Sequence, residues 1–522
     1  MSDQLHQHLA LLQKAPGVTC LTDISHGLEK ESLRVDPDGH LARTPHPQAL
    51  GSALTHATIT TDFSEALMEF ITPVFNDPQD SIGFLSDLHS YTYAKLPREE
   101  LLWTSSMPCI IGKDEDIPLA QYGSSNVGKL KTLYRLGLGH RYGRSMQTIA
   151  GIHYNFSLPD EFWTLYRSVT GSRQDLQDFK NEQYFALIRN FRRHSWLLLY
   201  LFGASPSLCK SFVQSKPGHG LQDFDEYSYY APYATSLRMG DLGYTSKAQA
   251  GLHISYNSLE EYATGLLNAI RIPYEPYSQI QTEDGAPAQL NTSILQIENE
   301  FYSTIRPKRV THSGIRPVRM LQEHGVEYIE VRLLDLNPFL PVGIDEAEIR
   351  FLNGFLLFCL LRESPRSDRG EYREIDSNLQ AVVRHGRDPS LRLQQHDQPR
   401  ALRDWALEIL GEVDAIATLL DEVNETTAHR KATQVQLAKV QDPELTPSAK
   451  VLRRMRELKT SYFRFAMNQS LANSDYFRAR TPGTDAMQAF ENMTSESVVA
   501  QDKIEASDSI DFATYLKSVN EN

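Results

Sequence analysis

Residues 26–35 read His-Gly-Leu-Glu-Lys-Glu-Ser-Leu-Arg-Val, and the prediction of the fold depends on this stretch. If it is a β-strand, its side chains alternate, so Glu29, Glu31, Leu33 and Val35 lie on one face. Two acids then share a face with the apolar end of the strand, whereas a solvated strand gathers its charges opposite its hydrophobic residues. An edge strand kept soluble by charge would look similar if this stretch stood alone.

Three later stretches show the same pattern and favour a functional site. Residues 147–158, residues 326–334 and the second half of 59–72, which has strand-like ends around Ser64-Glu65-Ala66, each read as a strand that carries a charged or imidazole side chain at an alternating position. The side chains concerned are Glu69, His153, Glu330 and Arg332. Simpler readings exist for each stretch alone, since a lone strand histidine is often structural and an exposed ion pair contributes at most about 1 kcal/mol.

The acids of these stretches predict a metal centre on one polar sheet face. The proposed ligands are Glu29, Glu31, Asp62, Glu69, His153 and Glu330. Carboxylates a few ångströms apart repel and raise each other's pKa values, so the cluster needs divalent cations. Ligands that are mostly oxygen select a hard ion, Mg²⁺ or Mn²⁺ in its place. Magnesium beside Arg332 suggests phosphoryl transfer from ATP.

The common nucleotide-binding motifs do not account for such a function. Residues 123–129, Gly-Ser-Ser-Asn-Val-Gly-Lys, fit the start of a phosphate-binding loop, but Leu130 stands where a Ser or Thr must bind magnesium. We interpret the match as accidental. The sequence has neither the glycine spacing of a dinucleotide-binding turn nor a zinc-binding HExxH pair. We therefore expect ATP to bind on the sheet through metals.

Composition limits the classes of function. The chain has 522 residues and a formal net charge of −14, which argues against binding to nucleic acid by bulk attraction. Four separated cysteines without a CxxC pair make a zinc site or disulfide framework improbable. The N-terminus lacks the features of a signal peptide, and no apolar run is long enough to span a bilayer. We expect a cytoplasmic protein without nucleic-acid or membrane partners.

The C-terminal part of the chain reads as mainly helical. Residues 402–423 place apolar side chains at spacings of four and three, which is typical of a helix packed along another helix. We predict a catalytic α+β core over residues 1–365 and a mainly helical region over 366–522 packed on it. Residues 368–400 and the segment after about residue 470 are polar, and we expect them to be irregular.

Six ordered stretches closely resemble the glutamate–cysteine ligases of gammaproteobacteria. They are Gly-Leu-Glu-Lys-Glu-Ser-Leu-Arg-Val (27–35), Thr-Thr-Asp-Phe-Ser-Glu-Ala-Leu-Met-Glu-Phe-Ile-Thr-Pro (60–73), Gly-Ile-His-Tyr-Asn-Phe-Ser (151–157), Pro-Tyr-Ala-Thr-Ser-Leu-Arg-Met-Gly-Asp-Leu-Gly-Tyr (232–244), Leu-Gln-Ile-Glu-Asn-Glu-Phe-Tyr (295–302) and Glu-Tyr-Ile-Glu-Val-Arg (327–332). The resemblance runs from about residue 20 to 365.

This resemblance implies an ATP-dependent ligase that joins the γ-carboxylate of L-glutamate to the amine of L-cysteine through a γ-glutamyl phosphate. It also implies an antiparallel catalytic sheet similar to that of glutamine synthetase, covered by helices, and a monomer. Glu29, Asp62 and Glu69 match one magnesium site, and Glu31, His153 and Glu330 match the others. Arg332 matches the arginine at the transferred phosphoryl group, with Glu330 beside it as the second catalytic residue. The positions expected to bind substrate are Tyr134, Asn155, Arg238, Tyr244 and Tyr302, the tyrosines serving cysteine.

Two other functions stay open from the sequence. A related carboxylate–amine ligase would use another amine acceptor with the same metal centre. A sensor would bind ATP or an amino acid without turnover, although the complete set of acids and Arg332 argues against it.

Overall fold

The computed structural model describes residues 3–108, 110–213, 218–242, 247–282, 285–311 and 315–521. In these ranges helices surround an antiparallel sheet, and the C-terminal part of the chain is mainly helical. The predicted α+β class is therefore confirmed. The boundary at residue 365 stays a prediction.

The main sheet has seven strands and antiparallel pairing throughout. The strands of the described ranges are β1 (Ser25–Val35), β2 (Ile59–Thr61), β3 (Leu67–Ile71), β4 (Leu101–Leu102), β5 (Ile152–Ser157), β6 (Ser207–Cys209), β7 (Gln222–Asp223), β8 (Ser228–Tyr230), β9 (Ile305–Lys308), β10 (Tyr328–Leu334), β11 (Arg392–Gln395) and β12 (Gln398–Ala401). The order is β2-β3-β1-β5-β10-β9, with β4 paired to the end of β1. A small sheet has the order β6-β8-β7, and β11 and β12 form a hairpin.

The strand register puts the predicted polar side chains on a common face. Glu31 lies opposite Glu69 in the β1–β3 pair, and Glu29 lies opposite His153 in the β1–β5 pair. Glu330 lies opposite Asn155 in the β10–β5 pair. Residues directly opposite each other in antiparallel strands project to the same side, so these side chains become neighbours.

The helices cover the sheet and build the C-terminal region. Those described are α1 (Asp3–Lys14), α2 (Pro78–Lys95), α3 (Asn126–Tyr142), α4 (Asp160–Val169), α5 (Leu176–His194), α6 (Trp196–Phe202), α7 (Lys247–Ala250), α8 (Leu259–Arg271), α9 (Glu275–Ser278), α10 (Pro317–His324), α11 (Glu346–Leu361), α12 (Arg369–His385), α13 (Leu402–Val423), α14 (Ala428–Gln441), α15 (Pro447–Leu458), α16 (Tyr462–Ala479), α17 (Thr484–Ser507) and α18 (Phe512–Glu521). Helix α13 has the bounds that the apolar spacing predicts.

Strand β1 lies in the middle of the sheet, so the edge-strand reading is wrong. On its rear face Lys30 donates from Nζ to Ser32 Oγ at 2.9 Å and lies 2.7 Å from Nε2 of His89 on α2. Arg34 pairs with Glu100 at 2.7 Å. The polar side chains of this face are buried, and hydrogen bonds within the protein replace those to water.

The expectation that residues 368–400 and the segment after about residue 470 are irregular is wrong. The first contains α12 and the β11–β12 hairpin, and the second contains the end of α16 and helices α17 and α18. The buried residues of α17 are Phe490, Thr494 and Ser497, and Ser497 Oγ accepts a hydrogen bond from Ser52 N at 3.0 Å. Only one of the three is apolar, so the sequence shows little hydrophobic periodicity here, which is why the pattern missed the helix.

One cysteine takes part in a disulfide bond, which the sequence analysis did not expect. Cys20 and Cys359 are free, whereas Cys209 is disulfide-bonded. Within the described ranges, none of the helices is both long and apolar enough to cross a membrane.

Candidate active site

The polar face of the sheet is the floor of a cavity of about 800 Å³. Helix α3, residues 297–304 and part of α12 also line it. The predicted residues in the lining are Glu29, Glu31, Asp62, Glu69, Tyr134, His153, Arg238, Tyr302, Glu330 and Arg332. The fold thus gathers into one cavity side chains from distant parts of the chain, and its volume suits small-molecule substrates.

His153 lies between two of the acids. Its Nδ1 is 3.0 Å from Glu29 Oε2, and its Nε2 is 3.8 Å from Glu31 Oε1. Gly151 N donates to Glu31 Oε2 at 2.7 Å, and Asn155 Nδ2 donates to Glu29 Oε1 at 2.8 Å. The backbone of Gly151, just before β5, therefore orients the Glu31 carboxylate, and side chains of β5 orient that of Glu29.

Glu69 completes an arrangement that fits a divalent cation. Glu29, Glu69 and His153 each offer one ligand atom, and these atoms lie within 4.8 Å of one another. Burial raises the pKa of Glu69 well above its usual value, and the charges of Glu29, Asp62 and Glu31 add to this effect. A bound cation would relieve this repulsion, and oxygen ligands with one imidazole suit Mg²⁺ or Mn²⁺. His153 lies nearer to Glu29, at 3.0 Å, than to Glu31, at 3.8 Å, although the resemblance groups it with Glu31. The division of ligands between metal sites therefore stays a prediction.

Glu330 and Arg332 form a buried ion pair beside these ligands. Glu330 Oε2 accepts from Arg332 Nη1 at 2.9 Å, and its Oε1 accepts from Lys308 Nζ at 3.2 Å. The Glu330 side chain is only 2% exposed, so the reading as a surface ion pair is wrong. Burial opposes ionisation, but Arg332 and Lys308 hold the pKa of Glu330 well below its usual value. Arg332 remains partly exposed and lines the cavity, so its guanidinium can meet an anion there.

Arg238 packs against the backbone of β10 and against Gly151, the residue just before β5. Its Nη2 donates to Arg332 O at 3.1 Å, its Nη1 lies 3.2 Å from Met239 Sδ, and the buried Asp335 carboxylate is 3.9 Å away. The guanidinium occupies the space where a side chain at Gly151 would stand, since a Cβ there would lie 2.5 Å from Arg238 Cζ. Glycine at position 151 therefore allows this close approach.

The other predicted substrate positions are only partly together. Tyr134 and Tyr302 line the cavity, and burial raises the pKa of both phenols. They therefore keep their protons at neutral pH and can donate hydrogen bonds. Among the described residues the lining does not include Asn155, whose amide holds Glu29 instead. Tyr244 lies outside the described residues.

The sequence analysis missed several cations that line the cavity. Lys131 and Arg135 lie on α3, and Arg306 and Lys308 lie on β9. The α3 residues were detectable in principle, because the cavity-lining positions of this helix recur every three or four residues. Lys131 and Arg135 are charged, however, and the sequence analysis assigned the helix Asn126–Tyr142 no cavity-facing side.

The stretch Gly123–Lys129 is not arranged as a phosphate-binding loop. Ser124 N donates to Glu505 Oε1 at 2.8 Å, and Asn126 N donates to Asp508 Oδ2 at 2.6 Å. Carboxylates on α17 and just after it thus occupy amides that a phosphate would need, and the lysine of the stretch is exposed.

Comparisons with known proteins agree with one another. A family model described as glutamate–cysteine ligase matches residues 9–382. A glutamate–cysteine ligase of Pseudomonas entomophila (strain L48) is 52% identical over 517 residues, which cover 99% of this chain and 97% of that protein. A crystal structure of glutamate–cysteine ligase from Francisella tularensis in complex with AMP has a TM-score of 0.89 and 37% identity, and the match covers 95% of this chain and 97% of that one. A bifunctional glutathione synthetase from Pasteurella multocida has a TM-score of 0.72 and 26% identity, covering 94% of this chain and 57% of that chain.

Proposed function

The chain belongs to the glutamate–cysteine ligase family, and from this premise we propose that its cavity joins the γ-carboxylate of L-glutamate to the amine of L-cysteine, with ATP converted to ADP and phosphate. The product is γ-glutamylcysteine, the first intermediate of glutathione synthesis. The observation that carries the proposal is the meeting of five acids, His153 and Arg332 in one cavity. This set suits phosphoryl transfer to a carboxylate.

The nucleotide is proposed to bind in this cavity. The Francisella tularensis relative was solved with AMP, and its fold matches this chain over almost the full length. The carboxylates need cations, and ATP brings phosphate oxygens that share such cations. Lys131, Arg135, Arg306 and Lys308 add positive charge around the lining.

Magnesium is the proposed metal. The residues proposed to hold it are Glu29, Glu31, Asp62, Glu69, His153 and Glu330. When bound, it would neutralise charge on the phosphate oxygens during transfer. Mn²⁺ has similar ligand preferences and could replace it.

In the proposed first step, an oxygen of the glutamate γ-carboxylate attacks the γ-phosphorus of ATP. The bond to the β-phosphate oxygen breaks, which gives γ-glutamyl phosphate and ADP. Arg332 stabilises the charge on the transferred phosphoryl oxygens, and Glu330 holds the Arg332 guanidinium through the hydrogen bond at 2.9 Å. A free carboxylate is a poor acyl donor, so this activation makes the second step possible.

In the second step the cysteine nitrogen attacks the activated carbon, phosphate leaves and the nitrogen loses a proton. Tyr134, Tyr244 and Tyr302 are proposed to contact cysteine. Asn155 is not proposed as a substrate contact, because its amide holds Glu29. Arg238 is proposed to bind a substrate carboxylate, since its guanidinium is held facing the cavity. Alignment of amine and acyl phosphate supplies much of the rate, and exclusion of water protects the intermediate.

We further propose a cytoplasmic monomer without nucleic-acid partners. All the residues named for the reaction belong to one chain, so the proposal needs no second subunit. Sedimentation equilibrium of the purified protein tests the monomer.

The decisive experiment measures ADP, phosphate and dipeptide release from Mg²⁺-ATP with both amino acids present. We expect turnover only when glutamate and cysteine are both added, and no turnover after chelation of the metal. A heavy-oxygen label in the glutamate γ-carboxylate should appear in the released phosphate if the acyl phosphate forms. Turnover at the same rate without cysteine would refute the proposal that the product is γ-glutamylcysteine. A panel of other amines identifies a different acceptor, and ATP binding without ADP release would indicate a sensor.

A further inference from the structure

The stretch Leu-Gln-Ile-Glu-Asn-Glu-Phe-Tyr (295–302) carries buried polar side chains that the proposed reaction does not use. Gln296, Glu298 and Glu300 are 1%, 7% and 6% exposed. Polar groups at this depth need partners inside the protein. Gln296 and Glu300 both have partners on α3, including the backbone of Tyr134, and Gln249 joins the backbone of Glu300 to that of Tyr302.

Glu300 gathers three donors. Its Oε1 accepts from Arg141 Nη1 at 2.9 Å and from Tyr142 OH at 2.5 Å, and its Oε2 accepts from Gln296 N at 2.6 Å. The side chains of Arg141 and Glu300 are both 0% exposed. Arg141 also donates to Asn291 O at 2.6 Å. The C-terminal end of α3 is thereby fixed to the 289–302 segment by a buried ion pair.

Gln296 fixes the middle of α3 to the same segment. Its Nε2 donates to Tyr134 O at 3.2 Å, and its Oε1 accepts from Leu290 N at 2.9 Å. The amide lies flat against Gly137, where a Cβ would be 2.7 Å from Gln296 Cδ. A larger residue at position 137 would therefore push this amide away from α3.

Gln249 connects the network to Tyr302. Its Oε1 accepts from Tyr302 N at 3.1 Å, and its Nε2 donates to Glu300 O at 3.0 Å and to Tyr142 OH at 3.1 Å. The backbones of Tyr134 and Tyr302, which come from different parts of the chain, are thus both anchored to one hydrogen-bonded unit.

We propose that Glu300 and Gln296 are positioning residues that set the spacing between Tyr134 and Tyr302, and that this spacing determines the affinity and selectivity for the amino-acid acceptor. This inference rests on the proposed function, which assigns the two tyrosines to cysteine. Glu300 acts through other residues, because its oxygens already accept three protein donors and its side chain is shielded from the cavity solvent. Burial, with the charge of Glu300, raises the pKa of Tyr142, so its phenol keeps the proton that it donates.

The experiment compares Gly137→Ala, Tyr142→Phe and Glu300→Gln with the native chain. Gly137→Ala displaces the Gln296 amide, and it should not lower helix stability because alanine favours a helix over glycine. We expect each variant to raise the KM for cysteine about tenfold, since a group that supports a contacting residue typically has effects of this size. The KM values for ATP and glutamate should stay as in the native chain. Selectivity for cysteine over 2-aminobutyrate, which lacks the thiol, should fall.

Glu412→Gln is the matched control. Glu412 Oε2 forms a comparable ion pair with Arg362 Nη1 at a distance of 2.5 Å, and neither residue lines the cavity. The substitution should lower the melting temperature without changing the KM for cysteine. If Glu300→Gln does not fold, Gly137→Ala and Tyr142→Phe decide the question. An equal rise in all three KM values, or native kinetics in Gly137→Ala, overturns the inference.

Tyr302→Ala separates this inference from the proposed function. A raised KM for cysteine in Tyr302→Ala with native kinetics in Gly137→Ala refutes only the positioning role. A native KM for cysteine in Tyr302→Ala overturns the proposal that Tyr302 contacts cysteine, and it overturns the positioning inference as well.

Discussion

Gly151→Ala should disable the site by moving a single arginine. The alanine Cβ would lie 2.5 Å from Arg238 Cζ and 2.9 Å from its Nε, whereas nonbonded carbon atoms pack at about 3.5–4.0 Å. The guanidinium must therefore retreat by about 1 Å, which takes Nη2 out of hydrogen-bond reach of Arg332 O, now at 3.1 Å. A misplacement of this size costs about 10²-fold in rate when the group positions a substrate.

The same substitution should leave the fold intact. Gly151 is not among the glycines with positive φ, so alanine fits its backbone, and the stiffer unfolded chain would favour folding by about 0.4–1 kcal/mol. Gly411→Ala is the matched control, since a Cβ at that position meets nothing within 4 Å.

The assay is ADP release at saturating ATP with glutamate and cysteine varied in turn, alongside thermal unfolding of each variant. We expect kcat/KM to fall about 10²-fold for at least one amino acid in Gly151→Ala, at a near-native melting temperature. Gly411→Ala should behave as the native chain. Native kinetics in a folded Gly151→Ala protein would show that the role of Arg238 does not depend on the space beside Gly151.

Three further predictions concern charge. Arg332→Ala and Glu330→Gln should each lower kcat by roughly 10³-fold. The first removes the guanidinium that stabilises the transferred phosphoryl group, and the second weakens the hydrogen bond that holds this guanidinium. Native turnover in either variant would contradict the proposed site. Lys129→Ala should leave ATP binding unchanged in a direct binding measurement, and a loss of binding would restore the phosphate-loop reading. Burial lowers the pKa of His26 to about 4 from 6.5. Between these pH values the imidazole is protonated in the unfolded chain but not in the folded one, so the free energy of unfolding falls as the pH drops from 6.5 to 4. In urea unfolding at pH 7 and pH 4, His26→Phe should reduce this loss by about 3 kcal/mol, and an identical loss in both proteins would exclude His26 as its source.

The sequence by itself determined the parts of the protein that local patterns encode. Alternation along residues 26–35 and 326–334 placed Glu29, Glu31, Glu330 and Arg332 on the correct strand faces, because a strand has a fixed period of two. The apolar spacing gave α13 its bounds. Residue chemistry alone also led to the prediction that such a cluster of acids holds cations, and this stays a prediction.

Only the tertiary structure decided which of these faces meet and what holds them in place. Nothing local predicts that Glu29 pairs with His153, or that Arg238 rests on Gly151, because each contact joins residues distant in sequence. The ion pair of Arg141 with Glu300 is equally invisible, since a buried charge and an exposed one look alike in a sequence. Helix α17 was missed for a related reason: two of its three buried residues, Thr494 and Ser497, are small and polar, and burial of such residues depends on partners that the fold alone brings together.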